Sequence, residues 1–179
     1  MKSILSLSAL ALMAMMATSA TAATIDFTDA GAQGGGTYAE DGLIFGTDVR
    51  IVDGNCTSSS GPECGALNRN ETTTLTSITA ELFSLDSIWF KALGANSVLT
   101  ITTNLGGLLV LGMSLSDTVI DLTSLFGFSD VTSITFTSTG GNVRFDDLGI
   151  PSAVPLPAAG LLLLGALGGL TVMRKRKTA

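Results

Sequence analysis

The sequence predicts an all-β fold, an antiparallel β-sandwich of two sheets, set between an apolar leader and an apolar tail. Three observations predict it. Apolar residues through the middle of the chain alternate with Thr and Ser at a period of two, the mark of strands buried on one face. Clusters of Gly and Asn separate these runs at short intervals. Between the two ends lies a stretch, 23–153, of ordinary size for one domain and long enough to bury a core.

The leader comes first. Lys2 opens it, Ile4 to Met16 is uncharged and mostly apolar, and Ala20-Thr21-Ala22 has the small-x-small form of a cleavage site. That order is the three-part pattern of a secretory signal peptide, with an apolar run too short to span a bilayer comfortably. Residues 1–22 are therefore expected to be removed on export.

The strands follow. Thr24–Phe27, Leu43–Phe45, Val49–Val52, Thr73–Thr76 and Ser87–Leu93 have strand composition. In SVLTITT, Leu99 and Ile101 share one side while Val98, Thr100 and Thr102 share the other. In VTSITFTS, Ile134 and Phe136 lie opposite to Thr135 and Thr137. Leu108–Met113, Thr118–Leu122 and Val143–Ile150 complete the set. Gly94-Ala95-Asn96, Asn104 to Gly107 and Gly140-Gly141-Asn142 supply turns. Asp53–Thr72 reads as a loop insertion, and no internal repeat is evident.

The tail, 154–179, reads VPLPAAGLLLLGALGGLTVMRKRKTA. No charge occurs from Leu148 to Met173. The apolar part, Ala158 to Met173, comes close to the roughly 17 residues that a spanning helix needs, and Leu156 and Pro157 complete that length. Pro155 and Pro157 suit a helix start, and Gly165, Gly168 and Gly169 are of a kind common in membrane helices. Arg174, Lys175, Arg176 and Lys177 form a basic stop on the cytoplasmic side. The expectation is a C-terminal transmembrane helix with the domain outside.

This three-part order resembles the VPLPA variant of the PEP-CTERM sorting signal of Gram-negative bacteria. The resemblance rests on Val154, Pro155, Leu156, Pro157 and Ala158, on the Gly/Leu run and on the four bases. It implies an exosortase-type sorting enzyme as partner, membrane anchoring before processing, and a cell-surface or extracellular destination afterwards. It assigns no activity to the rest. Over 24–150 the order IDF, YAEDGLIF, LFSLDSIWFKA, VRFDDLGI resembles the jelly-roll domains of PEP-CTERM proteins and of carbohydrate-binding modules.

Charge and residue inventory narrow the function. Of nine Lys and Arg, one lies in the leader and four in the tail, which leaves four in 23–153 against all fifteen acids, a formal charge of −11. Such a domain is unsuited to nucleic acid phosphates. The chain has no histidine, which removes the Ser-His-Asp, Cys-His and HExxH chemistries. A two-carboxylate glycoside hydrolase needs facing acids. Glu40-Asp41 and Asp146-Asp147 are the available pairs, but neighbours on a strand point to opposite faces, so neither pair forms a dyad by itself; apart from Asp146, these acids read as solvated surface groups.

Cys56 and Cys64, in CTSSSGPEC, are expected to pair in an exported chain and to pin a local loop. Strand parity places Asp146 with Leu148 and Ile150, toward the core, where a carboxylate must be compensated. In the modules that the chain resembles, the first acid of the closing Asp-Asp helps hold a structural Ca²⁺. That implies Asp146 with Asp26, and Asp147 and Asp29 could add oxygens. The alternative is compensation by backbone N–H groups or Arg144. Trp89 sits between Ile88 and Phe90, and periodicity leaves its face open; aromatics, with Tyr38 the only Tyr, are too few to favour a sugar platform. Asn55-Cys56-Thr57 and Asn70-Glu71-Thr72 match the acceptor pattern for N-glycosylation, a pattern common by chance. The sequence thus points to a non-catalytic exported surface or extracellular-matrix protein that contacts exopolysaccharide. A carbohydrate-binding module with a defined glycan is the alternative.

Overall fold

One bent strand organises the chain. The computed structural model describes residues 23–28, 30–56 and 61–151, and its strands are β1 (Ala23–Ile25), β2 (Gln33–Glu40), β3 (Leu43–Val52), β4 (Cys64–Leu67), β5 (Thr72–Ser77), β6 (Ser87–Ala92), β7 (Val98–Thr103), β8 (Leu108–Leu111), β9 (Thr118–Asp121), β10 (Ser133–Thr139) and β11 (Val143–Ile150). All pairings are antiparallel. The fold is therefore all-β, as predicted. The strands nevertheless form one continuous hydrogen-bonded sheet, in the order β8-β7-β10-β5-β3-β4-β11-β6-β9, where the sequence predicted two.

The reason lies in β3. Leu43, Ile44 and Phe45 pair with β5, whereas Arg50, Ile51 and Val52 pair with β4. The other edge of β3 runs along β2. Register shifts along the β2–β3 ladder, with Asp48 at φ 75°, let the ribbon bend between the two pairings. The sequence reading cuts this strand into two pieces because its alternation breaks at Gly46-Thr47-Asp48. Asp41-Gly42 closes the β2–β3 hairpin, with φ of 49° and 80°, the two positive values that a tight primed turn requires.

The curl brings the halves face to face. Phe136 of β10 stacks on Phe145 of β11, centroids 5.3 Å apart, and Phe45 lies within 6 Å of both. Leu75, Leu99, Ile101, Ile134, Ile88 and Phe90 pack into the same core. Leu99 and Ile101, and Ile134 and Phe136, point inward as their alternation predicted.

Two strands have no counterpart in the sequence reading. Gly34-Gly35-Gly36 hides β2, since glycine has little strand preference. The segment Asp53–Thr72 is not one loop: it holds β4, whose Cys-Gly-Ala-Leu is buried at every position and shows no alternation. Asp26, Phe27, Leu93, Gly112, Met113 and Leu122 fall just outside the strands expected to include them. The expected signal peptide 1–22, Asp29, the motif 154–158, the expected helix and the bases 174–177 lie outside the described residues. Among the described residues no helix is long and apolar enough to cross a membrane.

Candidate functional site

The outer face of the β4-β11-β6 half carries the densest chemistry. Ile88 and Phe90 point into the main core, so Trp89 between them points out. It is nonetheless only 1% exposed, because Cys56, Cys64 and Val52 pack over it as a second small cluster. Cys56 and Cys64 form the expected disulfide, Cα atoms 5.8 Å apart. The bridge thus does more than pin a loop: it closes a lid over the indole. Nε1 of Trp89 is buried with no hydrogen-bond acceptor among the described residues.

Asp146 is the register partner of Trp89, and its neighbour Phe145 is the partner of Phe90. Asp146 is fully buried, as expected, but on the covered outer face and not toward the main core. The parity argument fails at a bulge. The register shifts between Asp146 and Gly149, and Asp147 has φ 47°. One irregular residue lets Val143 and Phe145, then Leu148 and Ile150, all reach the core. The carboxylate Oδ1 of Asp146 accepts the N–H of Asp147 at 2.9 Å.

Beside Asp146 runs a row of cations. Arg50 and Arg144 both face Ala66, and Arg144 faces Lys91, so three of the four bases of 23–153 share one line across β3, β4, β11 and β6. Arg50 bonds Glu71 at 2.8 Å and Lys91 lies 3.5 Å from Asp117. Arg144 donates from Nε to the Gly54 carbonyl at 3.4 Å, and burial pulls its guanidinium below the ordinary value. Burial pushes Glu71 up, but hydrogen bonds from Arg50 and Asn68 outweigh it and hold the carboxyl below its usual range.

No family model and no curated protein matches this chain. The site must therefore be read from its own geometry.

A second polar group lies at the start of the domain. Tyr38 and Glu40 share a face of β2, the Tyr38 hydroxyl donates to Glu40 at 2.9 Å, and the Phe27 N–H donates to the same oxygen at 3.3 Å. Burial, helped by nearby Asp26, lifts the Glu40 carboxyl above its ordinary value, and burial with Glu40 beside it raises the Tyr38 phenol as well. Glu40 is thus a part-buried hydrogen-bonded acid, not the solvated one expected; Asp41 is the exposed turn residue. Asp26 accepts the N–H of Thr28, closing its own turn. Asp26 and Asp147 follow and precede the paired residues Ile25 and Leu148. Among the described residues no group of three or more His, Cys, Asp or Glu side chains is placed to hold a metal ion.

A third surface has no counterpart in the sequence reading. The outward positions of β5, β10 and β7 line up as Thr72-Thr137-Thr100 and Thr74-Thr135-Thr102, flanked by Val110 and Leu108 of β8. Hydroxyls meet across strands at 3.1 Å (Thr72 to Thr137) and 3.3 Å (Thr74 and Thr135). No charged residue occupies an outward position of these four strands. The signal is present as Thr-x-Thr in three separate strands, but only the register shows that they adjoin.

Proposed function

We propose that this chain is a non-catalytic exported protein, sorted by an exosortase-type enzyme and displayed at the cell surface or in the extracellular matrix, where it contacts exopolysaccharide. The observation that carries the reading is the order of features: a leader with a small-x-small site, a disulfide-bearing all-β unit, then VPLPA, an apolar run and RKRK. A disulfide fits an oxidising destination. The curled sheet is read as a jelly-roll-like sandwich whose two layers stay joined through β3. The threonine face offers a hydroxyl polymer both hydrogen bonds and methyl contacts without charge. A defined sugar site built on aromatic platforms is less favoured, since Trp89 is covered and Tyr38 packs on Phe27 at 5.1 Å.

Sorting is tested by expressing the chain with and without an active exosortase. The reading expects an uncleaved membrane form to accumulate without the enzyme; identical processing in both hosts refutes it. Polysaccharide contact is tested by co-sedimentation with the host's own exopolysaccharide. Replacing Thr102 and Thr135 by Lys should abolish retention, and unchanged retention removes the threonine face from the proposal. A structural Ca²⁺ would rest on Asp146 and Asp26, with further oxygens from Asp147, Asp29, carbonyls and water. Melting that is indifferent to chelator removes it.

A further inference from the structure

The domain has one end that differs from the rest of its surface. Ala23 pairs with Ile150, so the chain enters and leaves the described fold at the same place. The loops around that place are tied together. The Asp86 N–H donates to Gly149 and the Leu122 N–H to Asp86. Phe83 and Val131 bond reciprocally, and Leu85 donates to Phe128. The Thr103 hydroxyl donates to the Gly127 carbonyl, and Asn104 accepts the N–H groups of Thr132 and Ser133. The β5–β6, β7–β8 and β9–β10 connections therefore share this end.

These connections carry large apolar side chains that point into solvent. Ile78 is 59% exposed, Leu82 58%, Leu105 48%, Leu125 36% and Phe126 84%, with Leu108 at 62% where β8 begins. These are six of the ten large hydrophobics exposed among the described residues; of the other four, Val110 and Val119 lie on β8 and β9, and Met113 and Leu115 lie in the crossover between them. Phenylalanine on a loop tip with most of its surface in water is costly unless something covers it. The exposed charged residues at this end, Asp41, Glu81, Asp121 and Asp130, are all acidic. The far end mixes the polar turn residues Asn68, Arg69, Asn70 and Asn142 with only two exposed large hydrophobics, Met113 and Leu115 of the β8–β9 crossover.

We infer that this apolar end is a lipid-contacting surface, which seats the domain on a zwitterionic bilayer while the chain is still anchored. The inference rests on the anchoring reading proposed above. Its physical basis is connectivity: Pro151 leaves the fold at this end, and the strongly apolar run begins at Ala158. So short a tether holds the apolar tips at high effective concentration beside the membrane. Amphipathic tips that lack bases gain from burial in the interface, and not from attraction to anionic headgroups. The four acids make an anionic surface unfavourable.

The test uses the full chain reconstituted in phosphatidylcholine vesicles whose acyl chains carry bromine. Phe126→Trp places an indole on a site too exposed to disturb the fold, and Arg69→Trp places one at the far end. Flotation with the vesicles reports anchoring separately. The expected result is flotation of both, bromine quenching of the indole at position 126 alone, and weaker quenching when phosphatidylglycerol is added. Flotation without that quenching overturns the lipid-contacting surface and leaves the anchor standing. Quenching at both ends overturns it too, since the domain then lies on its side. A blue shift of the Phe126→Trp variant that grows with protein concentration in the absence of vesicles assigns the apolar end to a second copy of the chain, and overturns it. Failure to float removes the anchor, and the inference with it.

Discussion

Trp89 shows how one residue can be outward and buried at once. It is the only tryptophan, so its emission reports the lid directly, and a disulfide in contact quenches an indole. Reducing Cys56–Cys64 is expected to raise the emission and shift it to the red, and to cost about 2–3 kcal/mol of stability; an unchanged spectrum would show that the lid stays closed without the bond. Glu40 makes a second prediction at this scale. Its carboxyl is raised above the ordinary 4.5, so the folded state holds the proton to higher pH than the unfolded chain does. Its contribution to stability therefore falls as pH rises from the ordinary value through the raised one. Glu40→Gln keeps an acceptor for Tyr38 and Phe27 and removes that slope. Denaturant melts across this window should be flatter for the variant, with no loss of stability at neutral pH; a parallel slope would assign the dependence elsewhere.

At the scale of elements, β4 is the sharpest case. It lies between β3 and β11, and a methyl at Gly65 would come within 2.7 Å of the rings of Phe145 and Phe27. Gly65→Ala should destabilise by about 1–3 kcal/mol through overpacking, read as a lower denaturant midpoint at constant slope; a neutral result would mean that the two rings yield freely. Nothing in Cys-Gly-Ala-Leu announces a central strand, because a strand buried on both faces shows no period of two. The strands with one wet face, β5, β7 and β10, were legible for the opposite reason. The direction of Asp146 was illegible because a single bulge at Asp147 reverses every parity argument carried through it. The disulfide was legible from two closely spaced cysteines behind a leader-like N-terminus, but the indole beneath it was not, since Val52, Cys64 and Trp89 meet only through three separate ladders.

At the scale of the whole molecule, the apolar run past Ala158 makes its own prediction. Leu162→Asp with Leu164→Asp should each cost about 2.5–3.5 kcal/mol near a membrane-helix centre, and the doubly substituted precursor should leave the membrane fraction. Retention in that fraction would end the anchoring proposal. The way the chain leaves the sheet has a mechanical consequence. Any tension arriving from beyond Pro151 is transmitted straight into β11. This strand is clamped along one edge by β6 and along the other by β4 and β1. Force along it loads the ladders on both edges in shear, many bonds together, whereas an edge strand would peel bond by bond. The strand that receives the pull is thus an interior one, so under the display proposed above a load entering at Pro151 meets a strand held on both edges.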